Sequence, residues 1–294
     1  MPDLSLEKRL GGALPSEESS LGYLFWLSRP RFWLYLAGPV IVGVAYAASS
    51  PAELFSPLAV ALFAYFLVPA NVYLYGINDV FDADIDEVNP KKDDKEVRYE
   101  GGPLVILSVF AAGAVGLVLI PFLSPAALVP FGLFYLLATE YSAPPLRFKT
   151  TPILDSISNG LYALPGIAAY AAIAGQYPPM AAIAGGWLWT MAMHTFSAIP
   201  DIEPDRKAGI RTTATLLGKE WTYAYCAAVW LAAAVGFALV HPFLGIVLGV
   251  YPLLGVAIAL GDVPVDRAYW WYPAINTAVG AVLTMGALWV MLYA

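Results

Sequence analysis

Four aspartates, Asp79, Asp82, Asp84 and Asp86, close the stretch YGINDVFDADID at residues 75–86, directly after a long apolar run. On a helix continued through this stretch, Asp79, Asp82 and Asp86 fall at i, i+3 and i+7 and share one face, with Asn78 one turn before Asp82. Like charges on one helix face repel by roughly 0.2–0.5 kcal/mol per pair unless a cation lies among them. A solvated loop needs no such alignment. Carboxylates joined by an Asn carbonyl form an oxygen-only ligand set, which suits Mg²⁺ bound together with substrate phosphate and water.

A second acidic pair lies in SAIPDIEPDRKAGIRTT, residues 197–213, where Asp201 and Asp205 stand four apart with Arg206 and Lys207 behind them. Pro200 and Pro204 predict a local break and a restarted helix rather than one straight helix. Between the two acidic stretches runs YSAPPLRFKT, residues 141–150, in which Pro144 and Pro145 restrict the geometry of Tyr141, Arg147 and Lys149. A guanidinium fork and an ammonium point charge are complementary to phosphate oxygens. Alone, Arg147 and Lys149 read equally well as markers of topology. Set between two acidic sites, they read as a clamp on a diphosphate. Mg²⁺ held by Asp82 and Asp201, together with Arg147 and Lys149, would then stabilise the charge of a departing diphosphate.

The elements that must position these groups are apolar. Of the 294 residues 60% are hydrophobic and 13% charged, about half the charged share of a soluble domain. Nine segments have the composition of bilayer spans: 32–48, 55–77, 103–121, 125–140, 157–175, 179–199, 221–240, 243–260 and 271–293. The expectation is an all-α, polytopic membrane protein of nine transmembrane helices around a central cavity, with residues 23–294 as one domain. Residues 1–22 form a polar segment without the apolar core of a signal peptide. All 15 Lys and Arg residues fall on one side of this layout, which puts the N-terminus in the cytoplasm and the C-terminus outside the cell membrane. Spans two and six end in equivalent places if the chain is two four-helix halves plus a ninth helix, so the two acidic helix ends would meet across the cavity.

Net charge is −7, which argues against nucleic acid as a partner and fits a salt-rich cytoplasm such as that of a halophilic archaeon. Cys226 is the one cysteine, so the chain holds no internal disulfide.

Other residues are placed near the same mouth. Asn71 shares a helix face with Asn78, Asp155 and Asn159 begin the fifth span, and Lys207 follows the second acidic pair. Arg29, in SRPRFW, is either a diphosphate contact or an interfacial anchor. His194 reads as a packed core residue. Tyr73, Tyr75, Tyr162, Trp187 and Trp189 offer ring faces to a carbocation but are also ordinary packing residues. Gly160, Gly166, Gly185 and Gly186 suit close helix contacts. An ion-coupled transporter would place its ionisable groups near the bilayer midplane, not at helix ends on one side. A phospholipid-alcohol phosphotransferase would need a DGxxAR-type motif, which the sequence lacks.

At these residues the chain resembles the UbiA superfamily of intramembrane prenyltransferases. The resemblance rests on NDxxDxxxD (Asn78, Asp79, Asp82, Asp86), on DxxxD (Asp201, Asp205), and on YSxPPLRxK from Tyr141 to Lys149. It continues through DRKAGIRTT at 205–213 and covers essentially the whole chain. It implies a helical bundle enclosing a cavity open to lipid. Two Mg²⁺ ions would hold a prenyl diphosphate donor, with Asn78, Asp82, Asp201 and Asp205 as ligands. Asp79 and Asp86 would act directly or through water. Tyr141, Arg147, Lys149, Arg29, Asn71, Asp155 and Lys207 are the implied substrate contacts. Where many members carry NRPxRPxxxG, this chain has NPKKDDKEVRYEGG at 89–102, with Arg98 as a possible substitute for the usual arginine. That variant looks like the lycopene elongase branch. It implies transfer of a C5 unit from dimethylallyl diphosphate to a lipophilic acceptor, lycopene, ended by proton loss or capture of water. A quinone precursor or a glycerol ether lipid is the alternative acceptor.

Overall fold

The computed structural model describes residues 19–86, 102–261 and 263–293. The loop 87–101, with Arg98, and the side chains of Asp84 and Asp86 lie outside the described set. Among the described residues every regular element is a helix. In chain order the longer ones are α1 (Ser20–Leu27), α2 (Trp33–Ala47), α3 (Pro57–Leu67), α4 (Pro69–Asp86), α5 (Pro103–Leu117), α6 (Pro125–Glu140), α7 (Leu164–Ala174) and α8 (Met180–Ser197). They continue with α9 (Ile202–Lys207), α10 (Thr213–Leu217), α11 (Lys219–Val240), α12 (Pro242–Leu248), α13 (Val250–Leu260), α14 (Val265–Tyr269) and α15 (Tyr272–Tyr293).

Proline and serine set many of the starts. The Ser56 and Ser124 hydroxyls accept from the backbone N–H groups of Ala59 and Ala127, and each is followed by a proline in the first turn. A proline there costs nothing, because its missing N–H would have had no intrahelical partner. Pro69 has the opposite effect on the segment expected to run unbroken over 55–77: it ends α3 and restarts the chain as α4.

Each of the nine expected spans contains helix, but the count of nine crossings is not met by length and composition. Among the described residues five helical stretches are long and apolar enough to cross a membrane: Pro51–Asp82, Pro103–Phe122, Lys219–Val240, Pro242–Leu260 and Tyr272–Tyr293. A sixth follows if Leu154–Tyr162 and Leu164–Ala174, bent by 40° at their junction, count as one. The reason is physical. With 15 residues α2 spans about 22 Å at 1.5 Å per residue, short of a hydrocarbon core about 30 Å thick. α8 is longer, but Thr190, His194 and Thr195 make it polar for a span.

The buried side chains form two main cores that divide the chain in half. Leu36, Phe66, Phe131, Phe134 and Leu164 anchor the first, built from α2, α3, α4, α6 and α7. Phe196, Trp230, Tyr251 and Tyr272 anchor the second, from α8, α11, α13 and α15. Contacts of α2 with α15, and of the 3₁₀ turn Ser158–Tyr162 with α8, join the halves. On one side the helices touch through their backbones. A Cβ on Gly43 would collide with the Gly166 carbonyl oxygen, and a Cβ on Gly166 would lie 2.7 Å from the Pro39 carbonyl oxygen. The space left between the halves is the cavity.

Candidate active site

A cavity of about 1210 Å³ runs between the two halves. Its polar end is lined by Asn78, Asp79, Asp82, Lys149 and Asp201, and its remaining wall is largely apolar and aromatic, with Ile41, Leu244, Leu248 and Met285 among its residues. The structure thus brings side chains of both acidic motifs to one space, as the two-halves reading expects. Each motif also has the local form that its sequence predicts. α4 continues as helix to Asp86, and the second motif breaks after α8 into the 3₁₀ turn Ile199–Asp201 before α9 restarts.

The acids of the first motif meet the basic residues. Asp79, 2% exposed, accepts from Arg29 Nη2 at 3.1 Å, and the Arg29 guanidinium lies 4.5 Å from the centre of the Tyr75 ring. Asp82 pairs with the Lys149 ammonium, and Arg147 Nη2 stands 3.5 Å from the same carboxylate while donating to the Phe81 carbonyl at 3.0 Å. Asn78 Oδ1 accepts from the Ser142 hydroxyl at 2.8 Å, a contact that ties α4 to the basic loop. The loop is closed by Lys149 N–H donating to the Tyr141 carbonyl at 3.0 Å.

Among the described residues three non-glycine residues adopt positive φ: Arg29 (50°), Arg147 (43°) and Ile153 (75°). Such conformations cost about 1–3 kcal/mol each and persist where the surroundings over-determine them. Two of the three are the arginines that face Asp79 and Asp82, so the strained backbone lies at the polar end of the cavity.

The remaining expected contacts separate. Asn71 does not line the cavity. Fully buried, it donates to the carbonyls of Phe66 and Leu67, each at 3.0 Å, and so satisfies the end of α3 at the bend into α4. Asp155 does not line it either. Its carboxylate accepts from the Thr213 backbone N–H at 2.9 Å and from the Thr213 hydroxyl, which fastens α10 to the segment after the basic loop. Lys207 is exposed, and Asp205 stands one turn beyond Asp201, off the cavity wall. Of the candidate ring faces Tyr75, Tyr162 and Trp189 line the cavity, whereas Tyr73 pairs with Thr139 and Trp187 donates to the Ile157 carbonyl.

His194, expected in the packed core, lines the cavity, and its Nε2 lies 3.0 Å from the Tyr141 hydroxyl. The signal in the sequence is its place near the end of α8, seven residues before Asp201 and just ahead of the break at 199–201. The Tyr141 hydroxyl also bonds the Asn159 side chain. Burial, followed by the nearby Asp155 charge, pushes its pKa well above the ordinary phenol range, so it keeps its proton.

The UbiA prenyltransferase family matches residues 36–285. The chain belongs to that family. It is 61% identical over 294 residues, the full length of both chains, to a lycopene elongase/hydratase of Haloarcula japonica. It is 64% identical over 269 residues to another of Haloferax volcanii, covering 92% of this chain and 89% of the relative. In fold it is similar to a UbiA homolog from Archaeoglobus fulgidus bound to GPP and Mg²⁺, with a TM-score of 0.68 at 21% identity over 89% of this chain and 99% of that one. It is also similar to the apo UbiA homolog from Aeropyrum pernix, with a TM-score of 0.69 at 20% identity over 89% of this chain and 98% of that one. This chain is therefore a UbiA prenyltransferase, an all-helical, multi-pass membrane enzyme.

The donor set fits Mg²⁺. Among the described residues no three His, Cys, Asp or Glu side chains gather closely enough to hold an ion by themselves. The polar end offers hard oxygen donors, from Asn78, Asp79 and Asp82 of the first motif and Asp201 of the second, beside cations suited to phosphate. An ion that takes few carboxylates and completes its shell with phosphate and water matches that supply.

Proposed function

We propose that this protein transfers a C5 prenyl group from dimethylallyl diphosphate to lycopene, with Mg²⁺ as cofactor. The observation that carries the reading is the juxtaposition of Asp82, Lys149 and Asp201, drawn from the two halves, at the polar end of a largely apolar cavity. The acceptor is argued from the relatives named lycopene elongase/hydratase at 61% and 64% identity.

In this reading two Mg²⁺ ions bind, one at Asn78 and Asp82 with support from Asp79 and Asp86, the other at Asp201 and Asp205. Bound there, Mg²⁺ would neutralise the diphosphate and make it a better leaving group. Lys149 and Arg147, already turned toward Asp82, reach the diphosphate oxygens. Arg29 holds Asp79 and lends positive charge to the same end. The apolar wall receives the prenyl chain and the hydrocarbon acceptor and keeps bulk water from the allylic cation. Tyr75, Tyr162 and Trp189 present ring faces or edges to that cation, worth about 2 kcal/mol each where desolvated. The nine helical segments cross the membrane nine times, with the N-terminus cytoplasmic and the C-terminus outside. The confinement of all 15 Lys and Arg residues to one side supports that topology.

The test is expression in a host that makes lycopene, followed by pigment analysis. Carotenoids extended by one and two C5 units support the proposal, with or without a tertiary hydroxyl. Unchanged lycopene in membranes that prenylate a quinone precursor or an ether lipid would overturn the acceptor.

A further inference from the structure

The Arg29–Asp79 pair at the polar end of the cavity has to be held, because Arg29 sits at φ 50°, where a residue with a Cβ stays only under constraint. The short loop that carries it is closed at its base. Trp33 Nε1 donates to the hydroxyl of the fully buried Ser28 at 2.9 Å, and Phe32 N–H donates to the Arg29 carbonyl at 2.8 Å. Those bonds fix the foot of the loop. They leave the direction of its tip to the side chains it carries.

Arg31, two residues after Arg29, reaches the other way. Its Nη2 donates to the Trp270 carbonyl at 2.7 Å, and its guanidinium carbon lies 3.7 Å from the centre of the Trp270 ring. Trp270 lies between α14 and α15, in the second half, whereas Asp79 is on α4, in the first. A continuous stack joins the two. The Arg31 guanidinium lies 5.4 Å from the Phe32 ring, Phe32 lies 6.4 Å from the Tyr75 ring, and Tyr75 lies 4.5 Å from the Arg29 guanidinium. Arg29 closes the stack on Asp79 at 3.1 Å. All six residues line the cavity. Guanidinium planes and ring faces attract one another, as do neighbouring rings. A planar fork can stack and donate at once, which an ammonium cannot.

We infer that Arg31 and Trp270 are the anchor of Arg29: they hold the loop so that the Arg29 guanidinium stays at Asp79, beside the donor's diphosphate. Arg31 then acts on the donor only through Arg29. Without the anchor residue 29 relaxes to negative φ, which swings its side chain off Asp79. Arg31 and Trp270 are positioning residues in this scheme. The inference rests on the reading of the polar end as a diphosphate site, but not on the identity of the acceptor.

The test is titration of the full chain in lipid nanodiscs with dimethylallyl S-thiolodiphosphate, a donor analogue whose C–S bond resists cleavage. Mg²⁺ is present and no acceptor is added. Arg29→Ala and Arg31→Ala should each weaken binding by about tenfold, and the double variant should be no weaker than Arg29→Ala. An anchor has nothing to hold once Arg29 is gone. Trp270→Ala removes the ring but keeps the carbonyl. It should weaken binding by a smaller factor and lose its effect in the Arg29→Ala background. Where Arg31→Ala fails to accumulate, Trp270→Ala carries the same comparison. Arg31→Lys keeps the charge but neither the fork nor the plate, so its affinity should stay within about threefold of Arg31→Ala. Effects that multiply to about 100-fold in the double variant would overturn the inference, since Arg31 would then act independently of Arg29. Full rescue by Arg31→Lys would also overturn it, by making Arg31 a source of charge alone. So would wild-type affinity in both Arg31→Ala and Trp270→Ala. Absence of binding to the wild type would overturn the diphosphate reading itself, whereas failure on lycopene touches only the acceptor, which this titration leaves out.

Discussion

Asp155 separates two kinds of role that lie close together in this site. Its position beside the basic loop suggests a substrate contact, whereas its geometry is that of a clasp. The carboxylate is 2% exposed and receives two hydrogen bonds from Thr213, one from the backbone N–H at 2.9 Å and one from the hydroxyl. The same hydroxyl oxygen accepts from Ile153 N–H at 2.8 Å, which helps to hold Ile153 at φ 75°. Hydrogen bonds to a charged group are worth about 1.5–3 kcal/mol each, so Asp155→Ala removes about 3–6 kcal/mol and leaves a buried Thr213 N–H without its acceptor.

At about 2–4 °C per kcal/mol for chains of 150–250 residues, the melting midpoint of the purified protein should fall by at least about 6 °C. Thr213→Val, which keeps the backbone bond, should fall by about half as much. Asp155→Asn should rescue in part, because its oxygen can accept from the Thr213 N–H while its amide donates to the Thr213 hydroxyl oxygen, at the cost of the charge-assisted strength of both bonds. The assay is a thermal melt of detergent-solubilised variants, paired with donor kinetics below the melt. A clasp predicts a donor KM within about threefold of wild type at a temperature where the variant is folded. An unchanged midpoint with a KM raised tenfold or more would refute the argument and make Asp155 a ligand of the substrate.

Two further outcomes follow from the polar end of the cavity. Asp82→Ala and Asp201→Ala should each reduce turnover by about 1000-fold or more with expression intact, and EDTA should abolish wild-type turnover until Mg²⁺ is restored. Near-wild-type rates in either variant, or in EDTA, contradict the metal reading. Lys149→Ala and Arg147→Ala should raise the donor KM, and lower kcat as well if their contacts tighten when the diphosphate leaves. Unchanged donor kinetics in both would leave them as markers of topology. Lys149 should matter more, since it lines the cavity while the Arg147 side chain is 37% exposed at the rim.

What the sequence conveys well here is chemistry with a period. Asn78, Asp79 and Asp82 are legible because a helix turns spacing into a face, and the paired prolines around Asp201 announce the break that the structure shows. The two halves were legible from the matching places of the acidic stretches, and the two buried cores agree with them. Contacts between distant segments were not legible. Nothing local to Asp155 says that Thr213, 58 residues away, supplies both of its donors. Asn71 shares the face of Asn78, yet Pro69 puts a bend just before it, and capping the carbonyls at that bend takes its amide out of reach of the cavity.

The span count is met only in part by length and composition, for a related reason. Hydrophobicity marks a segment as apolar, but α2 and α6 stop at 15 and 16 residues, α6 beginning at its Ser124 cap. His194 is the instructive case. A lone histidine on an apolar segment reads as packing, because sequence shows its helix and not its partner. The seven-residue interval to Asp201 was visible all along, but it acquires chemical meaning only when the basic loop returns Tyr141 to within 3.0 Å of the ring. A helix face fixes which way a side chain points, and a contact from another segment fixes what it meets there. The second fact is the one that separates a residue of the cavity wall from a packing residue.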